Sequence, residues 1–314
     1  NATTTAEIEQ AEKMINELGQ QQNPDISHAA LARYYAQRGQ LDKARDYQTL
    51  LKEYSPESPL YKSAQLAIHY EDARQNMDKN NINAARKSAI AGLMLEPHYS
   101  SLLILLTEIE IRNANFSEAK RLVDQINLRN SELASELEGD LYTAQNNLNA
   151  AIETYQQLWD QRKSNRLANK IYRLLNATNS DQRSQFLSEW KQQMPDSIDI
   201  LEAQANDHLL SENFIEAIIL LERLDQRMDI SAINLNNLAW AYQQVNNPAA
   251  SDTAKRAYEL APDHASIVDT YGWILFAHKQ FNEAVEILQQ AVSLAPNNAV
   301  IAAHLKDAET ASSQ

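Results

Sequence analysis

Residues 265–298 read A-S-I-V-D-T-Y-G-W-I-L-F-A-H-K-Q-F-N-E-A-V-E-I-L-Q-Q-A-V-S-L-A-P-N-N. Tyr271, Gly272 and Leu275 fall on a first amphipathic helix, and Phe281, Ala284, Leu288 and Ala291 on a second, with Lys279 in the turn between them. Gly272 and Ala284 are small where two antiparallel helices must approach closely, and the large residues beside them fill the flanking holes. Pro296 has no amide hydrogen to donate, so it ends the second helix and opens the turn that follows.

The same wording runs outward along the chain. Pro262 and Pro296 lie 34 residues apart, Pro195 lies 67 before Pro262, and Pro97 lies 98 before Pro195. Ala44, Ala85, Ala119, Ala151, Ala217, Ala250 and Ala284 share one slot, preceded by Leu41, Ile82, Phe116, Leu148, Phe214 and Phe281 as the apolar start of a second helix. In the unit where that slot skips, Arg183 holds it while Leu167, Leu187, Trp190 and Pro195 keep the pattern. A period near 34 in a helix-forming chain means stacked helical hairpins, each too small to fold alone. The expected class is all-α, an α-solenoid of eight hairpins at 25–58, 66–99, 100–131, 132–163, 164–197, 198–230, 231–264 and 265–298. Residues 1–24 read as the second helix of a truncated preceding unit. Residues 299–314 read as a capping helix, with Ile301, Ala302, Leu305 and Ala308 on its covered face. Glu57–Ser63 lengthen the first step as a longer loop or an earlier helix start.

These marks resemble the tetratricopeptide repeat: a large residue and Gly in helix A, Ala twice in helix B, Pro at position 32. The resemblance implies a right-handed superhelix whose A helices line a concave binding face. It places Tyr172, Glu202, Asn206, Asn236, Trp240, Asp269, Trp273 and Phe276 on that face as candidate partner-binding residues. Asn236–Trp240 and Asp269–Trp273 repeat one idea at a 33-residue step: a short polar residue, then Trp one turn later. Read as a wall, the two rings stand about 10 Å apart and offer rigid area for a partner. The competing reading tucks both rings between adjacent helices as core, Trp240 more readily than Trp273. A carboxylate clamp of the co-chaperone kind is disfavoured, because no repeat carries Lys at its second or fifth position and the basic groove residues are Arg33, Arg74 and Arg112.

Composition narrows the chemistry. All five glycines fall in repeat slots: Gly139 and Gly272 at the helix crossing, Gly39 in a turn, Gly19 and Gly92 late in helix B. None is left for a phosphate-cradling loop, so no nucleotide or other cofactor is expected. The chain has no Cys, which excludes disulfides and thiolate zinc sites. Its seven His show no HExxH or i, i+4 ligand spacing, so neither a metal site nor a catalytic residue is expected. Net charge is −14, and residues 196–314 hold 17 acidic against 6 basic side chains, a net −11. That balance argues against nucleic acid and favours a protein or peptide partner carrying basic and apolar residues.

The runs N-L-N-N-L-A-W-A-Y (234–242), A-Y-E-L-A-P-D-H-A-S-I-V-D-T-Y-G-W-I-L (257–275) and A-P-N-N-A-V-I-A-A-H-L (295–305) resemble bacterial envelope tetratricopeptide lipoproteins of exopolysaccharide and exosortase systems. That likeness implies a non-catalytic scaffold, periplasmic or anchored in the outer membrane of a Gram-negative bacterium. Two alternatives stay open: a periplasmic component of a polysaccharide synthesis or export machine, with a glycan on the Trp rings, and a regulatory repeat region of a larger enzyme. A cytoplasmic location also stays open. A chain beginning at Asn1 without Met reads as a processed or excised piece, so any membrane contact is expected through a segment outside it.

Overall fold

The computed structural model describes residues 24–313 except 179, 196, 228 and 229, together with residues 10, 13–15 and 17. Most of residues 1–24, expected as the second helix of a preceding unit, lies outside the described residues, Gly19 included. The described secondary structure is helix and turn throughout, in two compact units, residues 1–161 and 162–314.

Unit 1 holds α1 (Pro24–Gln37), α2 (Leu41–Tyr54), α3 (Pro59–Asp78), α4 (Ile82–Leu95), α5 (Ser100–Arg112), α6 (Phe116–Asn127), α7 (Ser131–Ala144) and α8 (Leu148–Gln161). Unit 2 holds α9 (Asn165–Thr178), α10 (Ser180–Gln193), α11 (Ile198–Leu210), α12 (Phe214–Gln226), α13 (Ala232–Gln244), α14 (Ala250–Leu260), α15 (Ala265–Ala277), α16 (Phe281–Leu294) and α17 (Ala299–Ser312). The long first step resolves as an earlier helix start. Ser58 Oγ accepts a hydrogen bond from the Tyr61 amide at 3.1 Å, Pro59 occupies the first turn, and α3 runs for 20 residues.

The small slots decide how the hairpins close. Ala44, Ala85, Ala119, Ala151, Ala217, Ala250 and Ala284 are all fully buried. A Cβ added to Gly272 would lie 2.7 Å from Leu288 Cγ on the facing helix, and one added to Gly139 would overlap the Tyr155 ring. Where the alanine slot holds Arg183, its Nε instead donates to Asp207 Oδ1 of α11 at 2.6 Å.

Seven turns between paired helices share one device. Gly39, Asn80, Ala114, Asn146, Glu212, Asn246 and Lys279 all take a positive φ, between 53° and 75°. In each turn the following amide reaches back five residues, as Gln280 N–H does to the Leu275 carbonyl at 3.0 Å. This is the Schellman closure, which satisfies orphan carbonyls at a helix C-terminus. Only one of the seven is Gly, so the sequence gives little warning of it; the others accept a conformation that L-residues enter at a cost of about 1–2 kcal/mol.

Within each unit every helix packs on the next in sequence, and odd helices also touch the next odd helix: α1–α3–α5–α7 in unit 1, α9–α11–α13–α15–α17 in unit 2. Among the described residues the even helices make no such lateral contacts with each other. Odd helices are therefore the tighter, inner layer of each unit, and their outward faces form a continuous row. The last element departs from expectation in one detail. Ile301 and Ala308 of α17 are buried and Leu305 partly so, but Ala302 is exposed, because the helix turns His304 toward α15 instead.

Two substitutions separate the helix crossing from the turn beside it. Gly272→Leu is expected to destabilise the protein by about 1–3 kcal/mol or more, since the facing Leu288 leaves no room. Lys279→Gly is expected to stabilise it by about 1 kcal/mol by relieving the positive φ. Thermal unfolding of the two variants beside the parent reads both, and equal melting temperatures would contradict the packing described.

Candidate functional site

The eight candidate residues all fall in unit 2, on the odd helices, and the structure sorts six of them into three rungs that join neighbouring odd helices. In the first, Asn206 Nδ2 of α11 donates to Tyr172 Oη of α9 at 2.7 Å. Burial pushes the Tyr172 phenol above its ordinary value, while the amide donated by Asn206 works against that shift. In the second, Asn234 Nδ2 of α13 donates to Glu202 Oε1 of α11 at 2.6 Å. Asn234 is buried, and the loss of water raises the Glu202 carboxyl above the usual carboxylate range despite that hydrogen bond.

The third rung joins α15 to α17. Trp273 stacks on Phe276 at 4.8 Å between ring centroids and 20° between planes, and on His304 at 4.1 Å and 23°. His304 Nδ1 lies 2.9 Å from Asp269 Oδ1; a carboxylate can only accept, so the imidazole donates. Asp269, Trp273 and Phe276 are thus brought together as one cluster, which α17 completes. Trp273 is half-buried in it and holds the last helix to the one before.

Asn236 and Trp240 stand apart from this cluster. Asn236 is half-buried, and Trp240 is 39% exposed on the same face of α13, with Ile233 at 55% one further turn back. Among the described residues the Trp240 ring stacks on no other, and its Nε1–H has no partner. The ring expected to tuck away more readily is therefore the more open one, because none of the aromatic side chains of α15 stacks on it. Trp273 is the more covered, because α17 does.

Two members of the face escape sequence reasoning. Asn234 lies two residues before the position that the register points to, and its reach across to Glu202 is a matter of rotamer. His304 is one of seven scattered histidines; the signal that finds it is the continued period, which makes α17 a further odd helix as well as a cap. The row at the fifth residue of α11, α13 and α15 reads Glu202, Asn236, Asp269, and that at the ninth reads Asn206, Trp240, Trp273. The fifth-position row thus carries two carboxylates and the ninth-position row two indoles.

Comparison with known proteins agrees with this geometry. Residues 266–298 match the family model described as tetratricopeptide repeat. No curated protein matches the chain by sequence. Among solved structures, a tetratricopeptide repeat protein from Parabacteroides merdae superposes with a TM-score of 0.55 at 19% identity, over 78% of this chain and 99% of that one. A chain of the APC/C hetero-tetramer Cut9–Hcn1 gives 0.58 at 14%, over 98% of this chain and 60% of that one. Yeast Tom70 gives 0.67 at 15%, over 88% and 59%. At these identities the likeness establishes the fold alone. The fold is that of tetratricopeptide-repeat solenoids, and residues 266–298 are a recognisable copy of the repeat.

Trp273→Ala is expected to cost roughly 2 kcal/mol by loosening α17, whereas Trp240→Ala should stay within about 0.5 kcal/mol of the parent. Chemical unfolding of both variants tests the assignment of the two rings. A pH series tests Glu202. Its raised folded-state value means that the carboxyl favours folding at low pH and that this contribution is lost as pH rises through the folded value. Glu202→Gln keeps an acceptor for Asn234, so it should raise the melting temperature near neutrality and lose that advantage in acid.

Proposed function

We propose that this protein is a non-catalytic scaffold that holds a protein partner on the odd-helix face of unit 2, with the open Trp240 ring as the principal anchor. The observation that carries the reading is the contrast between neighbouring rungs: every other candidate side chain on the face is hydrogen-bonded or ring-stacked within the protein, while among the described residues Asn236 makes no side-chain hydrogen bond and the Trp240 ring, 39% exposed, stacks on no other. Trp offers a large rigid area at little entropic cost, which is why it concentrates at the energetic centres of interfaces. Leu210 at the end of α11 and Ile233 on α13 add exposed apolar area to the same layer. The carboxylates of Glu202 and Asp269, within the acidic third of the chain, suit a partner whose apolar side chains are accompanied by Lys or Arg. Tetratricopeptide-type folds commonly present such a layer to protein partners, and that general habit supports the reading.

The envelope setting remains part of the proposal. It rests on the wording of residues 234–242, 257–275 and 295–305, and it tells the experimenter where to look. Capture from Gram-negative envelope extract with the full chain as bait is expected to retain a partner that bait bearing Trp240→Ala retains at least tenfold less well, a loss equivalent to about 1.4 kcal/mol or more. Equal retention by both baits would place the contact elsewhere.

A further inference from the structure

The rung between α15 and α17 shows what kind of group an Asx–Trp pair on this face accepts. Counted from the first residue of each helix, Asp269 and Trp273 are the fifth and ninth residues of α15, and His304 is the sixth of α17. From that sixth position a planar nitrogen ring lies on the indole and donates an N–H to the carboxylate. The preceding pair has the same register: Asn236 and Trp240 are the fifth and ninth residues of α13, and the sixth residue of α15 is Thr270. Thr270 is too short to cover an indole, and its hydroxyl is turned back to the Ser266 carbonyl of its own helix at 2.9 Å. Where α17 lays a ring on its neighbour's rung, α15 offers threonine at the same position and lays none.

We infer that the Asn236–Trp240 rung is a recognition position for one arginine side chain of a partner segment, which does there what His304 does for Asp269 and Trp273. This assignment rests on the reading of the odd-helix face as the partner-binding surface and names the chemistry of its central contact. Three features select the guanidinium. The indole face favours a planar cation stacked on it over a compact, strongly hydrated ammonium. The Asn236 carbonyl oxygen accepts an N–H where Asp269 does, without contributing a charge that would demand full neutralisation. The fifth-position carboxylates on either side, Glu202 on α11 and Asp269 on α15, give the slot a negative surround, although each already accepts a hydrogen bond within the protein. The exposed Ile233, seven residues before Trp240 on the same helix face, leaves room for an apolar residue of the same segment.

The test uses the full chain labelled with nitrogen-15 and follows the four indole N–H resonances of Trp159, Trp190, Trp240 and Trp273 during titration with N-acetyl-arginine amide. The expected result is a saturable shift confined to Trp240, several-fold smaller with N-acetyl-lysine amide and reduced by Asn236→Ala. Thr270→His supplies from α15 the ring that α17 supplies from His304, so this variant should lose the arginine response and show a shifted Trp240 resonance without any ligand. A shift of equal size with the lysine amide, or one centred on Trp273, would overturn the assignment, as would an arginine response that survives Thr270→His. The two readings fail separately. If capture of a partner still depends on Trp240 while the arginine amide leaves its resonance unmoved, the face stands and the arginine slot falls. If capture is indifferent to Trp240, the face itself falls.

Discussion

The close approach of paired helices at one small-residue slot is the constraint on which the rest of the structure depends. A fully buried Ala in each even helix but α10, with Gly at the facing position of α7 and α15, brings two helices near enough for large neighbours to interlock around the crossing. Once each pair is drawn together on that side, the odd helices meet one another laterally and the even helices do not. The inner layer, and with it the row of side chains at the fifth and ninth positions, follows from the difference in size between alanine and leucine. A protein interior packed as densely as an organic crystal does not tolerate that difference being erased.

The rungs across the inner layer stabilise the stack and at the same time decide what is left for a partner. Tyr172 with Asn206, Glu202 with Asn234, and Asp269 with His304 and Trp273 each spend their polar groups inside the protein. A side chain already satisfied has little to gain from a ligand, because any new hydrogen bond replaces an old one. Binding capacity therefore concentrates at the rung that is not closed, between α13 and α15. There the helix that would close it carries threonine in place of an imidazole.

Much of this was legible in the residues. The alanine slot, the prolines after α14 and α16, and the glycine at the α15–α16 crossing report their roles directly, because each depends on size or on a missing amide hydrogen and hardly at all on neighbours. The positive φ at Lys279, Glu212 and Ala114 was not legible. Nothing in those side chains asks for a left-handed conformation, and it is imposed by the need to cap the helix before them. Nor was the division of labour between Trp240 and Trp273, since both occupy the same place in their helices. What distinguishes them lies one helix further on, in His304 against Thr270, and only the packing of α17 on α15 reveals it.

A photocross-linking amino acid placed singly at position 240 or at position 219 asks directly which layer holds the partner. Both side chains are exposed, the first on the inner layer and the second, Ile219, on the even helix α12. The account predicts a cross-linked adduct from position 240 in envelope extract and none of comparable yield from position 219. A strong adduct from 219 with none from 240 would contradict it, and would move the binding surface to the outer helices.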